Sequence, residues 1–231
     1  MSMPFGYVSP EQVMKDRADY ARKGIARGRS VLVLTYADGI LFVAENPSSA
    51  LHKVSEIYDR IAFAGVGKYN EFDQLRIAGV RHADLKGFSY SREDVDARSL
   101  ANAYAQILGQ VFTHEMKPME VEILVAEVAN DAADDQLFHI LYDGTVVDEE
   151  NFIALGGEAE TINERLKESF TENMELKAAL QTAVKAGTAA LQAADRTLGA
   201  DDLEVAVLAR SNGRRCFKRL TDAEVAEILG A

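Results

Sequence analysis

The chain has 231 residues, 48% of them hydrophobic and 27% charged, enough apolar content for a sizeable core and a length that demands no more than one domain. Its 25 basic and 37 acidic residues leave a net charge of −12, which argues against a nucleic-acid footprint and against docking on an anionic membrane surface. The single cysteine, Cys216, excludes an intrachain disulfide framework; with no signal pattern and no apolar run near ~18 residues, it points to a cytoplasmic protein, neither exported nor membrane-inserted.

The first predicted element is a helix. Ser9 reads as its N-cap, Pro10 as its first residue, Gln12 as the closing member of a capping box, and Val8 with Val13 as a hydrophobic staple. Met14, Ala18, Ala21 and Ile25 recur at helical spacing, with Lys15, Asp16, Arg22 and Lys23 on the other face, so the segment 9–28 lies on a surface and residues 1–8 stay outside it. Asp38-Gly39, Asp143-Gly144 and Asn212-Gly213 each sit between apolar or alternating runs and predict tight hairpins. Strands are expected at 31–37, 40–45, 54–58, 61–66, 121–128, 136–142, 146–148, 151–155, 203–209 and 215–219.

Two helices fall between the fourth and fifth strands: 68–86, carrying Phe72, Leu75 and Gly79, and 97–115, carrying Leu100, Tyr104, Ile107 and Val111. A second pair follows Gly156-Gly157, striped by Ile162, Leu166 and Phe170 and then by Leu176, Leu180, Ala183 and Gly187. Thr221 to Glu224 forms a capping box, stapled by Leu220 and Val225, at the start of a terminal helix. Hairpins and helix pairs in this alternation predict an α+β chain: a four-layer αββα sandwich, two antiparallel sheets between helical layers, with an extra N-terminal helix.

Short motifs offer little chemistry. Gly65-Val-Gly67-Lys68 falls short of a phosphate-binding loop, because Ala62 stands where the first glycine belongs and Tyr69 replaces the magnesium-binding hydroxyl. His52, His82, His114 and His139 share no ligand spacing, and 130–135 lacks the pattern of a calcium loop, so no metal and no cofactor is expected. No Gly-x-Ser-x-Gly elbow marks a serine nucleophile.

Longer stretches carry a resemblance. Ser9-Pro10, Tyr20-Ala21-Arg22, Gly28, Asp38-Gly39, Lys53-Val-Ser-Glu-Ile-Tyr-Asp59 and Gly65-x-Gly67 together resemble the α subunit of the proteasome core particle. The likeness to the actinobacterial branch extends through Lys23–Arg27, Leu41–Ser48, Gly67–Asp73, Lys117–Glu122, Val125–Val128 and Tyr142–Gly144, nearly the whole chain. It implies the sandwich of the N-terminal-nucleophile hydrolases as one domain over 1–231, divided into a gate tail (1–8), an N-terminal helix (9–28) and the sandwich (29–231).

Catalytic members of that family use a processed N-terminal threonine whose own amine is the base, so the nucleophile must be residue one. Matching the Asp38-Gly39 hairpin to its counterpart puts Arg29 near the threonine's place, with Ser30 next and the helix still attached upstream. The resemblance therefore implies a non-catalytic subunit with no catalytic residue. It would form seven-membered outer rings with neighbouring α subunits, contact the β subunits of a threonine-protease chamber, and dock a ring-shaped AAA ATPase. Substrates tagged with a prokaryotic ubiquitin-like protein are implied by the actinobacterial likeness. By residue, it implies that Lys53 receives an activator's C-terminal carboxylate, that Gly28 and Lys68 line the same pocket, and that Pro4, Phe5, Gly6, Tyr7, Val8, Ser9 and Pro10 belong to the gate. Two other readings stay open: a catalytic threonine or serine hydrolase made as a zymogen, and a stand-alone enzyme built on the Gly65 turn.

Overall fold

The structure is a computed structural model that describes residues 9–191 and 198–230. Its strands are β1 (Val31–Tyr36), β2 (Gly39–Glu45), β3 (Val54–Tyr58), β4 (Ile61–Gly67), β5 (Val121–Glu127), β6 (Gln136–Ile140), β7 (Val146–Glu149), β8 (Phe152–Leu155), β9 (Leu203–Ala209) and β10 (Phe217–Arg219). They form two five-stranded antiparallel sheets, ordered β10-β9-β2-β1-β8 and β3-β4-β5-β6-β7. The helices are α1 (Pro10–Ile25), α2 (Tyr69–Ser89), α3 (Ala97–His114), α4 (Ala159–Ser169), α5 (Leu176–Leu191) and α6 (Asp222–Leu229).

Strand alternation divides the apolar residues among three cores. Val33, Phe42, Ala64, Leu124 and Leu208 fill the space between the sheets. Leu34, Leu41 and Val207 point the other way, onto Ile162, Leu166, Leu180 and Val225 of α4, α5 and α6. Phe63, Ile123 and Phe138 meet Leu75, Leu100, Tyr104 and Leu108 of α2 and α3. Each fully buried side chain of this kind contributes roughly 1.5–3 kcal/mol, so the αββα layering follows from both faces of both sheets being apolar.

Helix α1 lies across β4 and β5, outside the layers, and its Ala21 and Ile25 enter the inter-sheet core. Gly24 lets it come close: a Cβ there would sit 2.3 Å from Glu120 Oε1. Arg17 donates to the carbonyls of Val111 (3.2 Å), Glu115 and Met116 (3.5 Å), and these end the last turn of α3, where the helix dipole favours a cation.

The expected sandwich is present, and several local expectations are corrected. The β1–β2 register pairs Tyr36 with Gly39, so the two-residue loop is Ala37-Asp38 and the glycine opens the strand. Gly39 is required there because a Cβ would meet Leu208 O at 1.9 Å. Asn212-Gly213 makes no tight hairpin: a 3-10 turn over Arg210–Asn212 precedes Gly213, and pairing resumes only at Phe217.

Ser9 does cap α1, its Oγ accepting from the Gln12 N–H at 3.2 Å. The Gln12 side chain turns forward to Asp16 at 2.7 Å, so the box is not reciprocal, and Val8 lies outside the described residues. The box at Thr221 and Glu224 closes in both directions. The buried stripe of α3 runs through Leu108, leaving Ile107 exposed.

Candidate functional site

Lys53 stands at the entry to β3, an edge strand. Its carbonyl accepts from the Gly65 N–H of β4 at 2.9 Å. Its own N–H goes to Glu204 Oε2 at 2.8 Å, and the next N–H, of Val54, goes to Glu204 Oε1 at 3.2 Å. The half-buried side chain reaches the chain just before β1, where Nζ donates to Arg29 O at 2.5 Å.

An ammonium has three donors. Among the described residues no carboxylate pairs with this one, although Glu45 and Glu204 are near enough to act on its charge. Burial pushes the Lys53 pKa down to about 8; Glu45 and Glu204 oppose that shift and Arg29 adds to it. The group is thus a cation held half out of water with hydrogen-bonding capacity to spare. A carboxylate from another chain would be favoured here by charge and by donor geometry.

Gly28 is one residue before Arg29. It packs against the end of β4: a Cβ on Gly28 would lie 3.1 Å from the Gly67 nitrogen, and one on Gly67 would lie 2.0 Å from Glu120 O. On its other side, the Gly28 carbonyl accepts from Gly157 N–H at 3.1 Å. The bare backbone of Gly28, Gly67 and Gly157 lets the ends of α1, β4 and β8 meet.

Lys68 follows Gly67 and precedes α2. Its ammonium is 3.9 Å from Glu71 and 4.0 Å from Glu120, both of which are held more closely by Lys117, at 2.8 and 2.9 Å. Lys53, Gly28 and Lys68 are therefore gathered by the ends of β3, β4 and α1, Lys53 through Arg29 and Lys68 through Gly67. Of the residues assigned to the gate, Ser9 caps α1 and Pro10 is exposed at its first position; Pro4, Phe5, Gly6, Tyr7 and Val8 lie outside the described residues.

Sequence reasoning missed Arg29, Glu45, Glu204 and Arg219 as members of this cluster. Arg29 Nε is 3.6 Å from Glu45 Oε1, and Arg219 pairs with Glu204. A signal existed for one of them: Glu204 is the only charged residue in the otherwise apolar run Leu203–Ala209. Among the described residues no group of three or more His, Cys, Asp or Glu could hold a metal ion, and no helix is long and apolar enough to cross a membrane.

Arg29, the residue matched near the family nucleophile's place, is exposed and lies in mid-chain, with the buried Ser30 after it. Ser30 is 6% exposed, and α1 precedes it with Ala21 and Ile25 anchored in the inter-sheet core.

A family profile described as "Proteasome: Proteasome subunit" matches residues 25–208, and with the two sheets between helical layers it defines this as a proteasome-type sandwich. Similar proteins, each named proteasome subunit alpha, match the chain almost end to end. The one from Acidimicrobium ferrooxidans is 64% identical over 230 residues, covering 100% of this chain and 97% of that protein. Those from Parafrankia sp. and Thermomonospora curvata are 58% and 59% identical, each covering 99% of this chain and 97% and 98% of their own lengths. The chain belongs to the proteasome subunit family, with the α subunits of actinobacterial type.

Proposed function

We propose that this chain is a non-catalytic α subunit of a cytoplasmic proteasome core particle, folded as one domain over residues 1–231. Seven copies form each outer ring, the rings stack on β subunits that carry the threonine-protease chemistry, and the tail 1–8, with Ser9 and Pro10 at the start of α1, gates entry to the chamber. Lys53, with Gly28 and Lys68 beside it, receives the C-terminal carboxylate of a ring-shaped AAA ATPase. Protein substrates tagged with a prokaryotic ubiquitin-like protein are then delivered through the opened gate.

The observation that carries the docking role is the Lys53 ammonium, half-buried and donating to a backbone carbonyl, with no paired carboxylate among the described residues. The non-catalytic role is supported by Arg29 standing near the threonine's place and by α1, which keeps that position inside the chain. A zymogen would have to detach Ala21 and Ile25 from the core on processing.

Docking is tested in the assembled particle with Lys53→Ala. Losing a charge-assisted hydrogen bond costs on the order of 1.5–3 kcal/mol per contact, and because several tails engage one ring together, the losses multiply. ATPase-stimulated protein degradation is expected to be abolished, with native mass showing intact rings. Parental activator affinity and stimulation in Lys53→Ala particles would place the docking site elsewhere.

A further inference from the structure

Glu204 is 5% exposed within β9, and a carboxylate buried to this degree is stabilising only when its hydrogen bonds are filled. They are filled at Lys53. Oε2 accepts from the Lys53 N–H and from Asn46 Nδ2, each at 2.8 Å. Oε1 accepts from the Val54 N–H at 3.2 Å and from the Arg219 guanidinium, with His52 Nδ1 3.4 Å away. Arg219 Nη2 then returns to Val54 O at 2.8 Å. Glu204 and Arg219 belong to the first sheet and β3 to the second, so this clamp ties the two sheets together at the residue that bears the ammonium.

We propose that Glu204 is the positioning residue of the Lys53 docking site: it fixes the backbone from which Lys53 projects and supplies the negative charge that keeps the ammonium ready for an incoming carboxylate. The inference rests on the reading that Lys53 is the receiving group. Removing Glu204 would leave two successive N–H groups, at the entry to an edge strand, without their acceptor and take from Asn46 one of its partners. Nζ would then no longer be held against Arg29 O.

Its charge matters as well as its shape. The groups acting on the ammonium are Glu45 from β2, Arg29 before β1 and Glu204 from β9, with burial the largest influence; Arg219 from β10 and the neighbouring His52 face the same carboxylate. Without the charge of Glu204, burial and Arg29 are opposed by Glu45 alone, and Lys53 gives up its proton at lower pH.

The test uses assembled core particles and a fluorescent peptide carrying the last residues of the ring ATPase, with a free carboxylate, against the same peptide amidated. In the parent particle, carboxylate-dependent binding is expected to fall as pH rises through about 8. Glu204→Gln is expected to move that midpoint lower; for a midpoint about one pH unit lower, binding weakens about twofold at neutral pH and about tenfold at pH above both midpoints. Glu204→Asp keeps the charge, so its midpoint stays parental while the shortened side chain weakens binding at every pH. A Glu204→Gln particle with weaker binding but a parental midpoint would reduce Glu204 to a structural residue and overturn the proposal. Should Glu204→Gln fail to assemble, Glu204→Asp decides, with parental affinity overturning the proposal. Parental binding by Lys53→Ala would instead refute the docking reading itself. Loss of binding in Lys53→Ala alongside parental behaviour of Glu204→Gln would refute only the role of Glu204.

Discussion

Two side chains carry charge where the fold makes it costly or conditional, and their pH dependences run in opposite directions. For Lys53 the folded-state pKa of about 8 lies below the unfolded 10.5. Its contribution to stability is therefore present above pH 10.5 and is lost as pH falls through 8, so at neutral pH the charged lysine opposes folding. Lys53→Met, which keeps the stem and removes the charge, is expected to raise the denaturation midpoint at pH 7; an unchanged or lower midpoint would contradict the burial argument.

His139 behaves oppositely. Burial pulls its pKa down, but Glu122, 2.8 Å from Nε2, and Glu149, 3.5 Å from Nδ1, outweigh burial and raise it to about 9. Its stabilising contribution is complete below the unfolded value of 6.5 and is lost as pH rises through 9. Denaturation midpoints followed from pH 6 to 10 should fall across that window in the parent and fall less in His139→Gln. Equal slopes would remove the two ion pairs from the account.

Helix α1 joins tail to sandwich, and its two halves are held differently. Ala18, Ala21 and Ile25 pack toward the core, Arg17 clips the helix to the end of α3, and Gly24 admits Glu120. Nearer the start, Val13 and Met14 are exposed and Ser9 supplies the cap. Nothing described in this fixed part needs residues 1–8. Their deletion is expected to leave the thermal midpoint of the particle unchanged while raising peptide turnover, because entry would have been limiting. Turnover equal to the parent in an intact deletion particle would count against gating by this tail.

The helices and strands were largely legible because their patterns are local. Apolar or alternating runs marked the strands, and Ser9 and Thr221 marked helix starts. Where the reading slipped, a distant partner decided the outcome. Gly39 belongs to the strand because Leu208 of β9 passes so near, and Gln12 prefers Asp16 to its own cap. The candidate site was half legible. Lys53 and Gly28 came from resemblance, but Glu204 meets Lys53 across 151 residues, and no spacing rule reaches that far. Lys68 was named, while Lys117, which holds Glu71 and Glu120 more closely, was not.

Across the molecule, three apolar cores stabilise a sandwich in which the residue matched to the nucleophile's place, Arg29, follows a helix anchored in the inter-sheet core. The central claim is that this sandwich builds a particle and leaves the chemistry to its partner. Native mass spectrometry of the chain coexpressed with its β subunit, before and after a threonine-directed covalent inhibitor, tests that claim most directly. The account predicts particles in which this chain keeps its N-terminal helix and only the β subunit gains the inhibitor's mass. Inhibitor bound to this chain, or loss of the segment ahead of Ser30 on assembly, would contradict it.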